Sequence, residues 1–365
     1  MHQGGADRGL HDDAIAAHIS ITDGNALGAS RMMVVGMPRF ALIVLTCLLG
    51  VVLLWPRTAK DASRPAVEAA NGIVVSTHRL ASEAGIAMLQ QGGNAIDAAV
   101  AVGYAEAVVD PCCGNIGGGG FLVAHLHDGG DVFLNFRETA PAAATRDMYL
   151  DAQGNAMYGA SLYGWRAVAV PGTVMGLDTA LTRYGTLPRS VVMAPAISLA
   201  RDGFELTRFD TDILQRGTAL LRRDESAARI FLHPDGSPLE PGERLVQPGL
   251  AATLASIAAD GPQVFYRGRI ADAVETASRA GNGIVTSADF AAYRVTQSTP
   301  LSCNYRGYVF LSAPPPSSGG VTLCEILHVI EGYDMRTLGF HSAQTVHVMT
   351  EAMRHAYPSV EAAVV

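Results

Sequence analysis

The sequence predicts a helix-rich α/β protein, and three observations lead there. Hydrophobic residues make up 49% of 365 positions, enough to bury a large core and to exclude disorder throughout. Much of that fraction is alanine while aromatics reach only 7%, which favours helices packed closely through small side chains over an aromatic-rich β-sandwich. Helical periods and short strand-like runs both recur along the chain. The formal net charge of -8 and the lack of any Lys/Arg cluster argue against a nucleic-acid partner. The five cysteines, Cys47, Cys112, Cys113, Cys303 and Cys324, show no C-x-x-C spacing, so neither a disulfide scaffold nor structural zinc is expected. A bridge between the adjacent Cys112 and Cys113 would be strained, and buried or loop thiols are the expected state.

Residues 1–36 carry no helical or strand period. They read as a disordered extension or one added by a mis-assigned start, with Met32, Met33 and Met37 as alternative starts. Within 37–56 lies FALIVLTCLLGVVLLW, residues 40–55, sixteen uncharged positions between Arg39 and Pro56-Arg57. This run is short for a spanning helix and long for a signal-peptide core, so signal anchor and signal peptide compete, with a buried core helix behind both. The lack of a clear A-x-A site favours an uncleaved anchor, and membrane attachment through 40–55 is expected. Residues 57–70 form a linker, and the folded region begins at Asn71.

Ile73–Val75 suggest a short strand. A helix over 81–90 stops at Gly92 and Gly93, where left-handed backbone costs little. Asn94 then caps a second helix, with Asp97 in its positive first turn. That helix runs past Val100, Gly103 and Ala107 to Asp110 and Pro111, and its small face should pack tightly. Phe121–His127 and Asp131–Phe136 read as a hairpin about Asp128, Gly129 and Gly130, with Arg137 where the second strand ends. Further helices are expected over 173–184, 190–201, 248–259, 268–280, 321–331 and 343–357. There is no internal repeat.

The most distinctive segment is PCCGNIGGGGF, residues 111–121. Its run Gly117, Gly118, Gly119 and Gly120 lets backbone approach something closely. The order helix-loop-strand is the reverse of a phosphate loop, so a structural tight loop is the default reading. Arg137 in NFRETAP sits where a guanidinium can face a cleft and hold a carboxylate through two parallel hydrogen bonds; a surface pair with Glu138 is the plainer alternative. No G-x-S-x-G, H-E-x-x-H or EF-hand loop occurs. His341 and His347, expected on one helix, have poor spacing for a metal. Ser317 and Ser318 precede a helix, where serine serves as an N-cap.

Taken together, residues 90–121, NFRETAPAAATRDMY (135–149), VPGTVMGL (170–177) and YRGYVFLSAPPPSSGG (305–320) resemble the γ-glutamyltransferase (γ-glutamyltranspeptidase) family over about 71–357. The resemblance implies an N-terminal-nucleophile hydrolase fold, a four-layer αββα sandwich made as a precursor that cleaves itself into a large and a small subunit. This chain would supply the helix-rich, large-subunit part of that sandwich, and no metal or organic cofactor is implied. The implied activity is transfer of γ-glutamyl groups from glutathione and related compounds to amino acids or water, in an exported, extracytoplasmic protein. Arg137 matches the family arginine that holds the substrate α-carboxylate, and Gly117–Gly120 become loop residues that shape the site. The family's catalytic threonine matches no position here, and Thr77 in Ser76-Thr77-His78 is only superficially similar. Residues 358–365, opening with Pro358, depart from the family pattern and oppose continuation of the preceding helix. The expectation is therefore a chain that stops before its nucleophile and needs a small subunit as folding and catalytic partner. Alternatives are a non-catalytic remnant or glutamyl-binding protein and, behind these, a related β-lactam side-chain acylase.

Overall fold

The computed structural model describes residues 67–364, with side chains described as far as Pro358. The extension 1–36, the apolar run 40–55 and residues 57–66 of the linker lie outside the described residues. Among the described residues no helix is long and apolar enough to cross a membrane. Of two units divided at Glu68 and Ala69, the second holds every element below.

Helix α1 (Arg79–Gln90) begins at His78, whose side chain accepts from the Leu80 N–H. Helix α2 (Ala95–Val109) begins with the predicted cap, and more is built there than a cap. Asn94 Oδ1 accepts from the N–H groups of Ile96 and Asp97, while Asp97 Oδ2 accepts from the Asn94 N–H at 2.8 Å. Both side chains also reach across the fold. Asn94 Nδ2 donates to the Tyr184 carbonyl at 2.7 Å, and Asp97 receives the Thr186 and Leu187 N–H groups at 2.9 and 3.0 Å and the Thr186 hydroxyl at 2.7 Å. The start of α2 is thereby latched to the turn between α3 (Thr173–Tyr184) and α4 (Arg189–Asp202). Burial raises the Asp97 pKa, but the bonds from Leu187, Thr186 and Asn94 outweigh it and hold the carboxyl below its ordinary value.

Helix α2 is apolar nearly all round, and Val100, Ala101, Tyr104, Ala105 and Val108 are all at most 1% exposed, as expected of a helix with neighbours on every side. Its predicted close packing is present. A Cβ on Gly85 of α1 would lie 2.8 Å from Val102, and one on Gly103 would lie 3.1 Å from Leu177 of α3. At its far end the buried Gln247 amide donates to the Val108 carbonyl at 2.8 Å, satisfying one of the last helical acceptors.

Strands β1 (Phe121–His125) and β2 (Asp131–Asn135) form the expected antiparallel hairpin, Val123 opposite Phe133, and the short β5 (Thr296–Ser298) adds to the free side of β2. Two further pairs are small: β3 (Phe204–Glu205) with β4 (Arg244–Leu245), and β6 (Leu301–Tyr305) with β7 (Tyr308–Ser312). The helices between them are α5 (Arg208–Leu221), α6 (Glu225–Phe231), α7 (Pro248–Asp260), α8 (Gln263–Tyr266), α9 (Arg269–Ala280) and α10 (Ser287–Ala292). After β7 come α11 (Ser318–Glu331), α12 (Met335–Leu338) and α13 (Ala343–Val364). The main core spans α1 to α10 with β1–β4, and a second, smaller core of Leu327, Ile330 and Ala352 joins α11 to α13. This is the helix-rich α/β class the composition predicts, with sheets that stay small.

Several expectations are corrected. Residues Ile73–Val75 are extended but unpaired, and Ile73 and Val75 point outward, 59% and 82% exposed, because no described strand lies beside them. The four cysteines among the described residues are not free thiols. Cys112 is paired with Cys113, and Cys303 of β6 with Cys324 of α11, whose Cα atoms lie 5.9 Å apart. Spacing along the chain carries no trace of the second pair, since tertiary packing brings its partners together. Helix α13 continues through Pro358 to Val364, so the proline removes one helical bond, to the Arg354 carbonyl, without ending the helix. His341 is not helical; it holds a left-handed φ of 55° two residues before α13. Ser317 occupies the N-cap position of α11, but its side chain makes no capping bond.

Candidate active site around Arg137

The glycine loop and the end of β2 form one unit. Phe136 and Gly120 exchange N–H to carbonyl bonds at 3.0 and 3.2 Å, which extends the β1–β2 ladder by one pair. Beyond it the loop presses onto the Arg137 peptide. A Cβ on Gly119 would sit 2.6 Å from the Phe136 carbonyl oxygen, 2.7 Å from the Glu138 nitrogen and 3.0 Å from the Arg137 carbonyl carbon. Only a residue without a side chain fits there. The Gly118 carbonyl accepts from the Gly172 and Thr173 N–H groups at 2.7 and 3.0 Å, which ties the loop to the start of α3. Gly172 completes the clamp, since a Cβ on it would overlap the Phe136 carbonyl oxygen at 1.9 Å and the Tyr293 hydroxyl at 2.1 Å.

Tyr293 follows α10 and stacks on Tyr266 at 5.6 Å between ring centroids; its hydroxyl donates to the Arg137 carbonyl at 2.9 Å. Burial, and then the Glu138 carboxylate, raise the pKa of that hydroxyl, so it keeps its proton and remains a donor. Tyr266 in turn donates to the Pro171 carbonyl at 2.9 Å and accepts from the Met175 N–H. Two residues beyond Arg137, Thr139 pairs with Val170, and the Ala142 N–H donates to Asp289 of α10 at 2.8 Å. The backbone from Phe136 to Ala142 is thus held on both sides.

The Arg137 side chain is 58% exposed. Its Nε lies 3.3 Å from Glu138 Oε2, and its Cζ lies 5.9 Å from the Phe121 ring centroid. The plainer alternative, a pair with Glu138, is therefore present, yet an exposed pair of this kind contributes only about 0–1 kcal/mol. An exposed guanidinium on a backbone held by its neighbours suits recognition of a carboxylate that arrives from solution. Four cavities among the described residues are lined by other residues; one of about 220 Å³ lies between the end of α2 and α5.

The other residues singled out by sequence do not join Arg137. The Thr77 hydroxyl lies 2.8 Å from Glu106 Oε2 and 2.7 Å from Asp110 Oδ2, and the His78 Nε2 lies 3.5 Å from Asp210 Oδ1. These groups tie the chain before α1 to α2 and α5. Tyr293, Tyr266, Gly172 and Asp289 are the neighbours that sequence reasoning missed. One signal was available for Asp289, because Thr286-x-x-Asp289 is a capping pattern and both reciprocal bonds form.

Comparison with known proteins defines the class. The family model described as Gamma-glutamyltranspeptidase matches residues 81–364. The glutathione hydrolase proenzyme of Pseudomonas sp. (strain A14) is 52% identical over 296 residues, 81% of this chain and 52% of that protein. The acylase ACY 1 proenzyme of Pseudomonas sp. (strain V22) is 42% identical, over 78% of this chain and 52% of its own. Among solved structures, the Helicobacter pylori γ-glutamyltranspeptidase superposes with a TM-score of 0.78 at 42% identity, covering 80% of this chain and 84% of that one. The fold is that of the helix-rich part of an N-terminal-nucleophile hydrolase. Within that class, the chain belongs to the γ-glutamyltranspeptidase family. It spans about half the length of the curated relatives it matches.

Proposed function

We propose that this chain carries the carboxylate-binding half of a γ-glutamyl transfer site. Arg137 holds the α-carboxylate of glutathione or a related γ-glutamyl donor, and the acceptor is an amino acid or water. The observation that carries this reading is the arginine at the end of β2, its peptide locked by Gly119, Gly172 and Tyr293 while its guanidinium stays open to solvent, inside a region that matches the family from 81 to 364. A substrate carboxylate would displace Glu138 at little cost and gain two charge-assisted bonds. The nucleophile belongs to the part of the relatives that this chain does not span, supplied as a small subunit whose new N-terminal threonine uses its own amino group as base. Residues 40–55 would export the protein and act as its membrane anchor.

The test is to co-produce the chain with the complementary segment of the Pseudomonas A14 relative and follow release from a γ-glutamyl anilide. Arg137→Ala should lower kcat/KM roughly a hundredfold, mainly through KM, as expected when about 3 kcal/mol of charge-assisted binding is lost. An unchanged KM would sink the assignment. A second reading is favoured by the 42% identity to an acylase. If the same complex releases the side chain of a β-lactam faster than the γ-glutamyl group, the acylase reading replaces the first.

A further inference from the structure

The two cysteine pairs differ in what governs their chemistry. Cys303 and Cys324 are each 8% exposed and join β6 to α11 across 21 residues. Cys112 and Cys113 are exposed neighbours in the turn that leaves α2. Exposed disulfides are the labile ones, because a thiolate can reach the sulfur along the axis of the bond it breaks.

The exposed pair also stands at the head of the glycine loop. The Asp110 carbonyl accepts from the Cys113 and Gly114 N–H groups at 3.1 and 2.9 Å, and Gly114 is pressed against Glu106, where a Cβ would meet the Glu106 Cβ at 2.6 Å. Four residues on, Gly118 binds the start of α3 and Gly119 contacts the Arg137 peptide. Cys112 Sγ lies 3.1 Å from Asp110 Oδ1, whose other oxygen is held by Thr77 at 2.7 Å. That carboxylate is placed to accept an S–H from Cys112 once the pair opens, which favours the open form.

We propose that Cys112–Cys113 is a thiol-exchange site for low-molecular-weight thiols, and that opening it loosens the glycine loop that clamps Arg137. A thiolate RS⁻ attacks one sulfur of the pair, forming an S–S bond to it while the bond between the two cysteines breaks. The other cysteine leaves as a thiolate and takes up a proton. A second RSH then releases RSSR and leaves both cysteines as thiols: two RSH are oxidised and one protein disulfide is reduced. With the pair closed, the two side chains and the peptide between them form one small ring, and opening it restores their torsional freedom at the loop's origin. The site needs nothing from Arg137 as a ligand-binding group.

The full chain, purified without reductant, is alkylated with iodoacetamide under native conditions before and after treatment with 2-mercaptoethanol or reduced glutathione, then digested for peptide mass analysis. The peptide bearing Cys112 and Cys113 should be unmodified before the thiol and carry two alkyl groups after it, while Cys303 and Cys324 stay unmodified throughout. Amide hydrogen exchange over 114–120 and at Arg137 and Glu138 should accelerate roughly tenfold on thiol treatment. It should not change in α4, nor in the Cys112→Ser/Cys113→Ser variant. The Arg137→Ala chain should exchange thiols like the parent, so the site stands or falls apart from carboxylate binding. Alkylation of both cysteines before any thiol, or an opened pair with unchanged loop exchange, would overturn the proposal.

Discussion

Gly172 shows how little room the Arg137 backbone has. A single methyl there meets the Phe136 carbonyl oxygen and the Tyr293 hydroxyl well inside contact distance, and both are fixed by other bonds. Gly172→Ala should therefore cost more than about 2 kcal/mol, the range for overpacking a site that cannot yield, read as a lower denaturant midpoint. Tyr293→Phe removes the donor to the Arg137 carbonyl and keeps the ring stack on Tyr266. It should cost about 1 kcal/mol and, in the complex with the complementary segment that the proposed function calls for, raise KM for a γ-glutamyl donor more than it lowers kcat, because it frees the peptide that carries the guanidinium. A fall in kcat alone would point to a role in the chemical step. The sequence singles out Arg137 and the four glycines as candidates but not the contacts that hold the Arg137 peptide, since Tyr293 lies 156 residues further along the chain and no local pattern links the two.

At the scale of elements, the latch between α2 and the α3–α4 turn rests on one carboxylate. The folded pKa of Asp97 lies below the ordinary aspartate value of 3.8. Its contribution to stability is therefore complete above the unfolded value and is lost as pH falls through the folded one. The parent protein should lose stability progressively below about pH 4. Asp97→Asn should flatten that acid limb and, at neutral pH, cost about 2–3 kcal/mol for the charged acceptor it removes. A parallel acid limb in the variant would show that other groups carry the dependence. The cap at Asn94 was legible because capping depends on residues three apart, whereas the bonds to Thr186 and Leu187 are made across the fold. The hairpin β6–β7 escaped notice for a related reason. Its turn places Arg306 and Gly307 at φ of 51° and 85°, and the first of these positions is one that sequence patterns assign to Asn, Asp or Gly.

Across the whole molecule, the segment from β6 to α13 keeps its own small core and its own buried disulfide. Closing a loop of 21 residues is worth about 3 kcal/mol in chain entropy. Cys303→Ser should thus loosen amide exchange over 301–331 while leaving α2 and α4 protected. Helix α13 also presents Val346, Met349, Met353 and Tyr357, between 39% and 61% exposed, at helical spacing along one face. Such a stripe on a large chain favours association. Met349→Lys/Met353→Lys should reduce self-association of the isolated chain in light scattering, and unchanged scattering would place the adhesive surface elsewhere, with the outward Ile73 and Val75 next in line.

The sequence by itself determined the fold class, the extent of nearly every long helix from 79 to 357, the first hairpin and the family, because each is written in local periods, caps and contiguous motifs. It missed α5, although Thr207-x-x-Asp210 is a capping pattern, and Asp210 accepts from the Thr207 N–H at 2.7 Å. Only the tertiary structure decided the cysteine pairing, the clamp on the Arg137 peptide, the latch at Asp97, the unpaired state of 73–75 and the passage of α13 through Pro358. Each of these is set by which distant backbone and side-chain groups come within bonding distance, and that is a property of packing in three dimensions rather than of order along the chain.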